Sequence, residues 1–95
     1  MPVINEVKLS GTITKYYPAL TTPAGCQINR FVLEHLSEQL EAGVSRIVKC
    51  RIFCVYIQDG LVIESLNNSV NIKGFLSVNA QNKLVLHVNE IKFLD

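Results

Sequence analysis

Charge of one sign is what this sequence most lacks: nine lysines and arginines stand against eight aspartates and glutamates, for a net charge of +1. No global field draws a nucleic acid, so any basic site has to be local. Long apolar runs are missing too, and nothing approaches the ~20 residues of a membrane helix. Met1 to Asn5 leads into charge and alternation rather than an apolar export signal, so none is expected. There is no glycine-rich phosphate loop, no HExxH, no CxxC and no recognisable pair of catalytic carboxylates. His35 and His87 each stand alone within an extended stretch. The chain is therefore expected not to be an enzyme and to need no cofactor or metal. Cysteine is sparse: Cys26, Cys50 and Cys54. Cys50 and Cys54 fall on one strand face about 13 Å apart, too far for a disulfide or one shared metal. Free, buried thiols in a reducing, cytoplasmic setting are expected.

What is present is alternation. An apolar fraction of 48% suits one globular domain, residues 1–95, with a core of its own. Val3 to Tyr17 reads as a first strand, with Val7, Leu9 and Ile13 against Lys8, Ser10, Thr12 and Thr14. Gly11 interrupts the apolar row, as a bulge or bend would. Pro18 and Thr22-Pro23-Ala24-Gly25 mark a loop and turn. Gln27 to Leu36 is a second strand, placing Phe31, Leu33 and His35 on one face and Arg30, Val32, Glu34 and Leu36 on the other. Its histidine is expected to be half-buried rather than a ligand or base. Ser37 to Gly43 reads as a solvated connection. Asp59-Gly60 predicts a tight turn with Leu61 to Glu64 folding back, as a short strand or a helical turn. Ser69 to Asn79 is a fourth strand with Gly74 interrupting its apolar row. Leu84 to Leu94 is a fifth, whose apolar phase changes between Val88 and Ile91 as at a bulge. Five main strands with glycine kinks imply a small antiparallel barrel or sandwich.

The third and central strand, Val44 to Ile57, has two unlike faces. Val48, Cys50, Ile52 and Cys54 form an apolar row, while Lys49, Arg51 and Phe53 alternate with them. Two cations beside an aromatic suit a phosphate backbone with stackable bases. A strand buried on both sides with snorkelling basic tips fits the same residues. Lys15-Tyr16-Tyr17 and Lys73 with Phe75 repeat the cation–aromatic pairing, although Phe75 and Phe53 could equally fill the core.

Several blocks together resemble one family. Leu9-Ser10-Gly11-Thr12, Thr22-Pro23-Ala24-Gly25, Phe31-Val32-Leu33-Glu34-His35, Glu41-Ala42-Gly43, Gly74-Phe75 and Val85-Leu86-His87 stand in the order and spacing of primosomal replication protein N, PriB. The resemblance runs from about Asn5 to Leu94. It implies an all-β, five-stranded antiparallel Greek-key OB-fold barrel of the SSB type. It also implies a homodimer that binds single-stranded DNA and bridges the helicase PriA and the loader protein DnaT in the replication-restart primosome. Lys15, Tyr16, Tyr17, Lys49, Arg51, Phe53 and Lys83 are the implied DNA-binding residues. Departures from the family pattern shape that expectation. Lys49 stands where a tryptophan is frequent, Leu20 and Leu36 stand where a basic residue is frequent, and the loop between strands four and five holds only Lys83. Fewer phosphate contacts mean lower affinity and weaker salt dependence, and a row that tracks phosphate more than it stacks bases. Apolar Leu20, Val32 and Leu36 leave a second reading, an OB-fold module whose main ligand is a protein.

Overall fold

The computed structural model describes residues 2–58 and 69–94. Five strands, β1 (Val7–Thr21), β2 (Gln27–Glu41), β3 (Val44–Ile57), β4 (Ser69–Val78) and β5 (Leu84–Leu94), close into a barrel in the order β1-β2-β3-β5-β4. The expected five-stranded OB-type barrel is found, with one correction. The β3–β5 seam, at Cys54↔Leu86 and Val55↔His87, is parallel, while the other four seams are antiparallel. The expected turn at Asp59-Gly60 and the segment Leu61 to Glu64 lie outside the described residues.

Alternation sets the core. Ile13, Phe31, Leu33, Cys54, Tyr56, Val70, Ile72, Leu86 and Val88 point inward and form one cluster. Fully burying each large aliphatic or aromatic side chain contributes about 1.5–3 kcal/mol. β1 must serve two neighbours, pairing with β4 from Val7 to Thr12 and with β2 from Thr12 onward. The chain approaches itself closely on both sides of that handover. A Cβ on Gly11 would overlap the Glu34 carbonyl oxygen, and one on Gly74 would overlap that of His87. Glycine here is a requirement of space, and the bulge expected at Gly11 lies instead at Thr14. There the register passes from Ile13↔Leu33 to Lys15↔Val32. On β5 the expected phase change is a bulge at Asn89, between Lys73↔Glu90 and Gly74↔Val88.

The strand ends differ from the sequence expectation. β1 begins at Val7 and runs through Pro18 to Thr21, with its ladder broken between Tyr17 and Leu20. A proline is tolerated there because it falls where the partner strand needs no donor. β2 continues to Glu41, so the supposed connection Ser37–Gly43 is mostly strand. Ala42 (φ 52°) and Gly43 (φ 79°) alone make the turn, and two successive positive φ values match the twist of a two-residue hairpin. The β2–β3 ribbon thus runs past the end of the barrel, where no core lies beneath it. Val48 and Cys50 are exposed for that reason, and Cys26 is only half-buried. Of the three thiols expected to be buried, Cys54 alone is; burial pushes its pKa up to about 12.

Gly74→Ala is expected to lower stability by about 1–3 kcal/mol or more, because backbone must move to admit the methyl group. Urea unfolding measures this; an unchanged midpoint would contradict the close approach.

Candidate nucleic-acid interface

The outer face of β1–β2–β3 gathers most of the residues the sequence singles out. Residues directly opposite in an antiparallel pair share a face. Lys15 faces Val32, Tyr17 faces Arg30, Val32 faces Phe53, Glu34 faces Arg51 and Leu36 faces Lys49. The Thr14 bulge makes this possible. Without the extra residue, Lys15 and Tyr17 would share the inward face of Ile13. With it they turn outward, and Tyr16 turns inward opposite Phe31 to pack against the core. Tyr16 therefore leaves the candidate site.

Around Tyr17 the residues form a compact group. Its ring meets Phe53 edge-to-face, with centroids 5.7 Å apart and planes at 61°, a favoured aromatic geometry. Lys15 Nζ lies 5.0 Å and Arg30 Cζ 5.7 Å from the ring centroid, within cation–π range. Arg30 Nη2 donates to the Pro18 carbonyl at 3.1 Å. Arg30 belongs to the site although sequence reasoning missed it. Its outward face is legible from alternation, but its place against Tyr17 depends on the β1–β2 register across a bulge. Phe53 is half-buried on this outer face, so it does not fill the core. Phe75, the other candidate core ring, is 38% exposed and stacked on His87, with centroids 5.1 Å apart.

Further along the row an acid stands among the cations. Arg51 Nε donates to Glu34 Oε2 at 2.8 Å. That hydrogen bond holds the Glu34 carboxyl below its ordinary value; the positive charges of Lys49 and Arg51 add to it, and partial burial opposes it. Arg51 is thereby engaged, while Lys49 stands exposed beside it. Lys83 lies apart in the β4–β5 turn, where its N–H donates to Asn79 Oδ1 at 3.0 Å. His35 is half-buried, as expected, between the Ser10 carbonyl and the Ser37 hydroxyl, each 2.7 Å from a ring nitrogen. Among the described residues, no three His, Cys, Asp or Glu side chains are grouped to hold a metal ion.

A barrel of this topology with a cationic, aromatic outer face can be set beside known proteins. A family model described as another single-strand binding protein family matches residues 5–90. Replication restart protein PriB of Photorhabdus laumondii is 39% identical over 101 aligned positions, covering 96% of this chain and 94% of that protein. The chain belongs to the PriB family. Among solved structures, PriB from Ralstonia solanacearum superposes with a TM-score of 0.82 at 22% identity, over 98% of this chain and all of that one. The N-terminal domain of a PriB protein from Thermoanaerobacter tencongensis, described as dimeric, gives 0.71 at 18% identity, over 96% of this chain and 97% of that one. At such identities these structures speak for the fold, and they agree with the OB-type barrel.

The ion pair makes a pH prediction. A carboxyl whose folded-state pKa lies below its unfolded value stabilises the fold above the ordinary value of 4.5, and that contribution is lost as pH falls through the folded pKa. In Arg51→Gln, the Glu34 titration midpoint followed by NMR is expected to move upward toward 4.5. An unmoved midpoint would show that Arg51 is not the cause.

Proposed function

We propose that the chain is a single-stranded DNA-binding accessory protein of the replication-restart primosome, working without catalysis in the cytoplasm. The observation that carries this reading is the gathering of Lys15, Arg30, Lys49 and Arg51 with Tyr17 and Phe53 on one face of the barrel. Cations supply the phosphate contacts and counterion release that drive such binding. Tyr17 is already engaged by two cations and the Phe53 ring, so it organises charge more than it offers a free stacking surface. Bases meet the accessible side of Phe53 and the apolar Val32. The face tracks phosphate, and the Glu34–Arg51 pair restrains it. Bridging of PriA and DnaT is the role that family membership supports.

The chain works as a homodimer in this reading. From Val7 to Gly11, β1 pairs with β4 on one side only, since β2 joins at Thr12. The opposite edge offers backbone groups to another strand, although His35 takes the Ser10 carbonyl.

A protein-binding role has its own observation. Leu36, Leu40 and Ile47 are 65%, 79% and 70% exposed on one face of the β2–β3 ribbon. A contiguous apolar stripe of this kind marks an interface, and it suits a protein partner seated on the ribbon while DNA occupies the barrel face.

Anisotropy titration of an oligo-dT at several salt concentrations tests the DNA reading. Lys49→Ala is expected to weaken binding and make the log–log salt slope shallower by about 0.7, one phosphate contact. Glu34→Gln frees Arg51 and is expected to tighten binding. No saturable binding even at low salt would sink the reading. Sedimentation at micromolar concentration tests the dimer, and a strict monomer would overturn it.

A further inference from the structure

Of the cation–aromatic groupings in the sequence, Lys73 with Phe75 has no part in the β1–β2–β3 face. The strand registers nevertheless place Phe75 in line with that face. Tyr17 stands opposite Arg30, Arg30 opposite Val55, Val55 opposite His87, and His87 opposite Phe75. This row crosses every strand in the order β1-β2-β3-β5-β4. Residues in register share a face of the sheet whichever way the strands run, because their pleats align. Burial agrees with that placement. Val55 is half-buried between Cys54 and Tyr56, and His87 between Leu86 and Val88, and all four flanking residues belong to the core. The parallel β3–β5 seam thus carries the outer row onward from Val55 to His87.

At its far end the row becomes aromatic again. The Phe75 and His87 rings are stacked with planes 5° from parallel. Phe75 is exposed, and among the described residues it meets no other ring. Tyr17, by contrast, is taken up by two cations and Phe53. An aromatic surface open to solvent is therefore found at Phe75 rather than at Tyr17. Lys73 lies two residues before Phe75 on the same face, about 7 Å along the strand, and opposite Lys8 on β1. Glu6 is 3.8 Å from Lys8 Nζ and 3.7 Å from Lys73 Nζ. Pairs this long and exposed hold a lysine weakly, so an ammonium group is free to meet the phosphate of a nucleotide stacked on Phe75.

We propose that the Phe75–His87 stack is a base-stacking platform for single-stranded DNA, reached by a strand that follows this row from Tyr17 across the β3–β5 seam. The proposal rests on the DNA reading above: the β1–β2–β3 face holds phosphates, and Phe75 supplies the π-surface that face has little of. Four strand spacings separate Tyr17 from Phe75, about 19 Å around the barrel. Several nucleotides span that distance, within the usual site size of one OB fold. The course avoids the Val7–Gly11 edge. Tyr17 lies on the part of β1 that pairs with β2, and Phe75 lies beyond Gly74, the last β4 residue paired with β1. A partner strand added at that edge pairs with neither end of the row.

The test measures anisotropy with a dT oligomer of about sixteen nucleotides, the upper end of that site size, and with an equally long strand whose sugars carry no bases. Wild type is expected to prefer the dT strand. Phe75→Leu keeps apolar bulk and removes the ring, and is expected to weaken dT binding about tenfold, as loss of one stacked base does. Its affinity for the baseless strand and its log–log salt slope are expected to match wild type, since no phosphate contact is lost. Phe75→Tyr keeps a ring and is expected to keep the dT affinity. Unchanged dT binding in Phe75→Leu overturns the proposal. Equal weakening on both strands overturns it too, as an effect on fold or charge, and so does loss of dT binding in Phe75→Tyr. Photocrosslinking of an iododeoxyuridine oligomer to the unaltered protein asks the same question without a variant. Adducts at Phe75 or His87 are expected, and adducts at neither overturn the platform. A wild type that binds both strands equally removes the platform and leaves the phosphate reading standing. One that binds neither removes both.

Discussion

The close backbone approaches at Gly11 and Gly74 are the constraint on which the rest of the barrel depends. In this barrel one strand exchanges partners along its length: β1 gives up β4 and takes β2 around Thr12. At that crossing Gly11 lies against the Glu34 carbonyl, while Gly74 lies against that of His87 where β4 bends over β5. Neither approach leaves room for a Cβ. The Asn89 bulge beside Gly74 and the Thr14 bulge beyond Gly11 then absorb the added twist and curvature.

Placement of the interface follows from that same bending. One extra residue inverts the inward–outward phase of everything after it. The Thr14 bulge thus decides that Tyr17 and Lys15 face solvent and that Tyr16 joins the core. Closure of the barrel and exposure of the cation–aromatic group are in this sense one event.

Much of the fold was legible in the sequence because period-two alternation reports burial directly. Five strands, the inward rows of β2 and β4, the β5 phase change and the outward row Lys49, Arg51, Phe53 all follow from it. What was not legible depends on pairing. The parallel β3–β5 seam leaves no local mark, because the residues at Cys54 and Leu86 would be apolar in either direction. The β2–β3 ribbon was mistaken for a loop after Leu36, since its charged and apolar residues alternate over empty space rather than over a core. Cys50 looked buried for the same reason. Arg30 was visible as an outward residue, yet its role needs the register that sets it against Tyr17. The masked appeal of Glu34 is similar: an acid in a block shared with the family gives no hint that its partner is Arg51, 17 positions away.

The near-neutral net charge takes on a different meaning in three dimensions. A chain at +1 has no long-range field to attract polyanions, yet most of its cations lie on two outer faces with acids set among them, Arg46 and Lys83 standing apart. Glu34 restrains Arg51, and Glu6 serves Lys8 and Lys73 together. Each carboxylate lowers the field at a distance while leaving ammonium groups free to meet a phosphate at contact range, where solvent-exposed ion pairs are readily exchanged. Such a surface is selective by geometry rather than by attraction. The acids among the lysines are therefore consistent with a binding face, and they set its threshold.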